Sequence, residues 1–247
     1  MTLPLYLTEP GGLAAAEVGQ IVALSGPEAR HAVTVRRTAV GERLQLADGE
    51  GALVVGTVES TGRDELTLRV EHVSSVEQPT PRFVLVQALA KNDRDDQAIE
   101  AATEMGVDEV VPWQADRSIV QWRGERGEKA RRKWDQVLLA ATKQSRRPRR
   151  PTLGATVTTA QLAAKIATGG TAYVLHEEAT TALAGLPLPV EGEVLVIVGP
   201  EGGIAPHEIE SLIAAGAKTV RLGTTVLRSS SAGPAALAVL NAAGRWR

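Results

Sequence analysis

The stretch Val194-Leu195-Val196-Ile197-Val198-Gly199-Pro200-Glu201-Gly202-Gly203 reads as a buried strand that turns at once toward a helix. Five consecutive aliphatic residues without alternation predict a strand covered on both faces, as in a parallel sheet of an α/β protein. The three glycines permit positive φ and a close approach of another group to the backbone. Open α/β sheets bind ligands at this end of their strands. The same glycines also suit a plain strand-to-helix turn with no ligand. They form neither a G-x-G-x-x-G fingerprint nor a phosphate loop closed by Gly-Lys-Ser/Thr, which removes most support for nucleotide hydrolysis.

Outward from this stretch the pattern repeats. Phe83 to Ala90 is another apolar run, Asp95 to Met105 has helical spacing ended by Gly106, and Val110 and Val111 lie in a following strand. Strand, helix, strand is the unit of a parallel sheet. A long polar helix is expected from Glu125 to Lys143, then a loop over Gln144 to Pro151. Helices at Ala160 to Ala167, Pro206 to Ala215 and Ala235 to Ala243, with strands at Ala172 to Leu175 and Thr219 to Leu222, complete an α/β domain over 83–247.

The first 74 residues differ. Arg43 to Ala47, Ala52 to Glu59 and Glu65 to Val73 read as strands separated by turn signals at Asp48-Gly49 and Gly62, which predicts a small β-barrel over 1–74. Residues 75–82, with two prolines, read as a linker.

Composition narrows the chemistry. The 247-residue chain has no cysteine, which excludes disulfides, thiolate metal sites and cysteine nucleophiles. No apolar run reaches membrane-spanning length and the start has no signal-peptide pattern, so a soluble, cytoplasmic protein is expected. His31, His72 and His207 show no ligand spacing with one another or with acids, so no metal is expected. Net charge is only -2. From Arg123 to Arg150, however, eleven Lys/Arg face three Asp/Glu, a local +8 that leaves the rest of the chain at -10. Such a block can hold a polyanion, or form a solvated helix and loop.

Two further segments carry polar groups at strand ends. Leu222-Gly223-Thr224-Thr225-Val226-Leu227-Arg228-Ser229-Ser230-Ser231-Ala232 precedes the last helix. Serines there suit helix capping and Pro234 suits a first helical turn, while Arg228 suits either an ordinary surface arginine or one aimed at a phosphate, a carboxylate or a developing oxyanion. Leu175-His176-Glu177-Glu178 offers a histidine and two acids, suited to proton transfer or to a polar loop; His207 is read as opening a helix.

In this order the three loops resemble the SPOUT class of trefoil-knotted methyltransferases, and specifically the RsmE-type 16S rRNA uridine-N3 methyltransferases, over nearly the whole chain. His31, Val35, Arg37, Gly41-Glu42 and Asp48-Gly49 are similar to that family's PUA-like RNA-binding domain. Ala88-Leu89-Ala90-Lys91, Ala101 to Val107 and Lys143-Gln144-Ser145-Arg146-Arg147 are similar to its internal motifs. Threaded chains are rare in general; the expected knot comes from the resemblance alone.

The resemblance implies S-adenosyl-L-methionine as cofactor, held by Leu175, His176, Glu177, Gly199, Pro200, Gly202, Gly203, Leu222, Gly223, Leu227 and Ser229. It puts His31, Arg37, Lys91, Arg146, Arg147, Arg149 and Arg150 on RNA; the chemistry of such a reaction, in which N3 of uracil loses a proton, makes Arg228 the catalytic candidate for stabilising the released charge. It further implies a homodimer acting on 16S rRNA in the assembled small subunit. One departure stands out: the family commonly has Leu-Arg-Thr-Glu-Thr-Ala where this chain has Leu227-Arg228-Ser229-Ser230-Ser231-Ala232, so the hydroxyls remain and the carboxylate is lost. Two rival readings are a knotted methyltransferase for tRNA or another rRNA position, and a non-catalytic RNA-binding module of ribosome assembly.

Overall fold

A computed structural model describes residues 3–91 and 93–246. The chain divides into two compact units, one reaching to Gln78 and including Thr142–Arg150, the other formed by Pro79–Ala141 and the chain from Pro151 onward.

The first unit is a five-stranded sheet in the order β1-β3-β4-β5-β2, from β1 (Leu5–Leu7), β2 (Ile21–Ser25), β3 (Arg43–Ala47), β4 (Ala52–Thr61) and β5 (Glu65–Ser75). The β1–β3 pair is parallel and the others antiparallel. Period-two alternation sends Leu44, Leu46, Val54, Val58, Leu66 and Leu68 into one core with Tyr6, Leu13 and Leu24. A short helix α1 (Gly26–Arg30) runs into a wider π-helical turn over His31–Val35. The strands β1 and β2 and this helix were not foreseen, because each is too short to show a period.

Pro148 to Arg150 is stitched to the β3–β4 turn. Gly51 N–H donates to Pro148 O at 3.2 Å, and Arg150 N–H to Gly49 O at 2.9 Å. Gly51, at φ +118°, has to be glycine: a Cβ there would lie 2.4 Å from Val76 O and 2.8 Å from Arg149 Nη2.

The second unit is a parallel sheet ordered β12-β10-β11-β6-β7-β8, with β9 also on β7. Its strands are β6 (Arg82–Ala88), β7 (Glu109–Gln114), β8 (Thr152–Leu153), β9 (Val157–Thr158), β10 (Thr171–Leu175), β11 (Glu193–Val198) and β12 (Lys218–Val220). One face carries α2 (Arg94–Glu104), α3 (Gly124–Gln144) and α6 (Ser229–Ala243) over Phe83, Leu85, Val194, Val196 and Val198. The other carries α4 (Thr159–Ala167) and α5 (Pro206–Ala214) over Val84, Val86, Leu195 and Ile197. Both faces being covered explains the unbroken aliphatic run in β11, each fully buried Val, Leu or Ile contributing about 1.5–3 kcal/mol.

The last helix differs from the sequence expectation. It begins at Ser229, so the three serines form its first turn, Arg228 occupies the capping position without a side-chain cap, and Pro234 lies inside the helix. Packing decides this start: Gly233 sits so close to the sheet that a Cβ would lie 2.8 Å from Leu85 Cδ1 and 3.5 Å from Val198 Cγ2. Besides the sheet, α6 packs against the turn Leu183–Gly185 of the β10–β11 connection. That connection is tied to the chain after β12, Leu183 N–H donating to Arg221 O and Arg221 N–H to Thr181 O, both at 2.9 Å.

Candidate active site

Parallel pairing fixes where the three loops emerge. Val174 is in register with Ile197 and Thr219, and Val198 with Gln87, so β10, β11, β12 and β6 all end at the same edge. From β6 the chain runs outward to β7, while β11 lies on the opposite side of β6. The crevice of such a switch point is the general ligand site of open α/β sheets. Loops 176–182, 199–205 and 221–228 open there, together with the start of α6.

Leu175 and Leu222 are partly exposed while packing on the core, and so offer an apolar wall. His176 N–H donates to Val220 O at 3.0 Å, and Glu178 N–H to His176 Nδ1 at 3.3 Å; Glu177 is exposed. The glycine loop closes through Gly203 N–H to Pro200 O at 2.9 Å, with Gly203 at φ +73°. Gly199 serves packing: a Cβ there would lie 2.5 Å from Ile204 Cγ1. Gly223, Leu227 and Arg228 are exposed. Ser229 Oγ is buried with no hydrogen-bond partner among the described residues. The structure therefore brings every expected cofactor residue, and Arg228, to one edge of one sheet.

A family model described as an RNA methyltransferase domain matches residues 76–241, and one described as an RNA methyltransferase PUA domain matches 24–71. A ribosomal RNA small subunit methyltransferase E from Mycobacterium bovis is 42% identical over 235 residues, 93% of this chain and 90% of the relative. The chain belongs to the ribosomal RNA small subunit methyltransferase E family. Among solved structures, a Legionella pneumophila protein described as a methyltransferase in complex with bound SAM superposes with a TM-score of 0.86 at 27% identity, covering 98% of both chains. A methyltransferase E from Neisseria gonorrhoeae shares the fold, with a TM-score of 0.85 at 24% identity and 98% coverage of both chains. The fold is the SPOUT α/β domain preceded by a PUA-like domain, as the resemblance implied.

Several residues that brace the candidate site escaped the sequence reading. Arg94 Nη1 meets Glu201 Oε1 at 3.3 Å, and Arg117 Nη1 donates to Gly202 O at 3.1 Å, so the start of α2 and the loop leaving β7 both hold the glycine loop. Glu208, 1% exposed, accepts from Thr159 Oγ1 at 2.6 Å, Asp116 N–H at 3.0 Å and Ala205 N–H at 3.1 Å. The pattern S/T-x-x-E would have marked Glu208, but Ala205 stands in the capping position. His207, read as opening a helix, is the second residue of α5, and its Nε2 lies 2.8 Å from Asp116 Oδ2.

At the turn after β6, Asp95 is buried and accepts from Ala90 N–H at 3.3 Å and Asp96 N–H at 3.0 Å; burial is the main cause that raises its pKa. Lys133 pairs with Asp93 and Asp96 at 2.6 and 2.5 Å. Lys91 is exposed.

The remaining RNA candidates lie in the first unit. His31 is exposed with its ring edge-on to Tyr6 at 6.4 Å, and Arg37 and Arg146 are exposed at φ 55° and 56°. Arg147 and Arg150 are half-buried, and Arg149 Nε donates to Val76 O at 2.6 Å, which gives that arginine a structural task. Among the described residues no group of three His, Asp or Glu is arranged to hold a metal, and no helix is long and apolar enough to cross a membrane.

Proposed function

We propose that this chain transfers a methyl group from S-adenosyl-L-methionine to N3 of one uridine near the 3′ end of 16S rRNA in the small ribosomal subunit. The observation that carries the reading is the convergence of the three strand-end loops at one sheet edge, in a chain 42% identical to a methyltransferase E over 93% of its length.

The residues present fit the cofactor. Leu175 and Leu222 supply apolar surface for an adenine, the loop Gly199–Gly203 presents backbone in place of bulky side chains, and the buried Ser229 hydroxyl has an unused donor and acceptor. The Legionella neighbour, 27% identical, was solved with SAM bound. The cofactor supplies a methyl group already activated on a sulfonium.

What the chain must add is alignment, exclusion of water and help for a weak nucleophile. N3 of uracil loses a proton as it attacks, and the charge spreads onto the two flanking carbonyl oxygens. Arg228, at the N-terminal end of α6, is the cation assigned to stabilise that charge. Ser230 replaces the family's carboxylate, so charge stabilisation and not a base at that position is the contribution of this segment.

Phosphates of the rRNA are assigned to Arg37, Arg146, Arg147, Arg150, His31 and Lys91. Such contacts position RNA without reading it, and selection falls to a splayed-out base. The reading includes a homodimer in the cytoplasm; Val226 and Leu227, 74% and 40% exposed at the cofactor edge, support a partner surface there.

Calorimetry of the purified chain with S-adenosyl-L-methionine tests the reading. One site per chain is expected. A chain that binds 16S rRNA fragments while binding neither the cofactor nor its demethylated product is an assembly module instead.

A further inference from the structure

The basic block singled out in the sequence is only partly used by the site above: its first half, at the start of α3, lies elsewhere. There a cleft of about 450 Å³ is lined by Trp122, Gly124, Gly127, Glu128, Arg131 and Thr156. That volume lies within the range of small-ligand sites.

The cleft is built. Trp122 N–H donates to Gln114 Oε1 at 3.3 Å, and its ring stands edge-on to Trp134 at 4.9 Å and 77°. Gly127 lets α3 close onto Trp122, since a Cβ there would lie 2.7 Å from the Trp122 carbonyl carbon. Arg131 is anchored on the carbonyls of Gly154 and Leu153, at 2.5 and 2.9 Å. Glu128 is exposed and makes no ion pair among the described residues; the same holds for Arg123, Arg126, Lys129 and Arg132 around it.

We propose that this cleft is a second RNA subsite that takes one unpaired guanine of the substrate rRNA, stacked on Trp122 with its Watson–Crick edge on Glu128. Three observations point that way. An aromatic wall beside a cationic rim is the arrangement that holds single-stranded RNA. A carboxylate inside the cleft repels phosphate but accepts paired N–H donors, and among the four RNA bases only guanine offers two adjacent ones, N1–H and the 2-amino group. Finally, the backbone N–H of Trp122 is held by Gln114, the last residue of β7, so the aromatic wall of the cleft lies by the sheet edge at which the loops after β10, β11 and β12 emerge, with β6 and β7 between. An RNA strand with its target base at Arg228 can continue along that edge. The inference rests on the rRNA reading above.

The test uses the full chain and a fluorescently labelled hexauridine with a single guanosine replacing one central residue, followed by anisotropy. Trp122→Ala should weaken binding about tenfold, within the span known for loss of one base stack, and Trp122→Phe by less than about threefold. Inosine in place of guanosine removes the 2-amino group; it should weaken binding to the natural protein several-fold and leave Glu128→Gln indifferent. Cofactor affinity should stay within about twofold throughout. Equal binding of guanosine and inosine probes by the natural protein overturns the proposal, as does Trp122→Phe failing as badly as Trp122→Ala. Glu128 is exposed, so its variant keeps the test decisive if Trp122→Ala does not fold. A protein that shows the expected probe pattern but methylates no small subunits overturns the rRNA reaction and keeps the subsite.

Discussion

Glu208 accepts the backbone N–H of Asp116 at 3.0 Å, so the carboxylate in the first turn of α5 fixes the loop that leaves β7. Its other two donors, Thr159 and Ala205, belong to the start of α4 and the end of the glycine loop. One buried group thereby sets the relation of three loops to each other.

All three partners of Glu208 are donors, so Glu208→Gln places an amide N–H against at least one of them. A buried, unsatisfied donor costs about 1–3 kcal/mol. The variant should lose that much stability in urea unfolding and bind S-adenosyl-L-methionine more weakly. Unchanged unfolding and cofactor affinity would show that the node does not hold the loop.

Arg245 closes the C-terminal end of the α/β domain. It meets Asp108 Oδ2 at 2.5 Å, donates to the carbonyls of Gly106 and Pro81, and stacks over Phe83 at 3.8 Å. Asp108 is 3% exposed in its side chain, so Arg245→Ala leaves a buried charge without its cation. Such breaks cost about 3–5 kcal/mol. The fall should be read by urea unfolding, and Asp108→Asn in the same background should return part of it.

Lys133 is a smaller, solvent-screened case. Hydrogen bonds to Asp93 and Asp96 raise its pKa, and the same lysine lowers that of Asp93. A lysine raised in the fold stabilises fully below its ordinary value and loses the effect as pH rises through the raised one; the lowered Asp93 stabilises above its ordinary value and loses the effect as pH falls through the lowered one. Lys133→Met should therefore lower the Tm slightly across neutral pH, as expected for a solvent-screened pair. The difference in Tm should shrink in strong acid, in strong base and in 1 M salt.

Arg228→Ala tests the assigned chemistry. Loss of one preorganised donor in a transition state lowers kcat by about 10²–10³. The cofactor Kd should change by less than about threefold. A normal kcat would remove Arg228 from the reaction.

The parallel sheet was legible because burial on both faces demands unbroken aliphatic runs, as in Val194 to Val198. The loop Gly199–Gly203 was legible because its glycines and proline directly follow an unbroken apolar run. Three features were not. The start of α6 depends on Gly233 docking between Leu85 and Val198, a tertiary contact that outweighs the capping preference of Ser229 to Ser231. The brace through Glu208 escapes the capping-box pattern because Ala205 holds the capping position where a Ser or Thr would have marked it. The docking of Pro148 to Arg150 on the β3–β4 turn depends on backbone groups, to which no side-chain pattern corresponds.

The most direct test of the reaction itself is to incubate the purified chain with S-adenosyl-L-methionine and small ribosomal subunits from cells that lack the gene, then to map stops in reverse transcription and identify the modified nucleoside. N3 methylation blocks Watson–Crick pairing, so one new stop near the 3′ end of 16S rRNA, together with 3-methyluridine, is the predicted result. Transfer to another nucleoside, or none to 16S rRNA by cofactor-bound protein, would contradict the account.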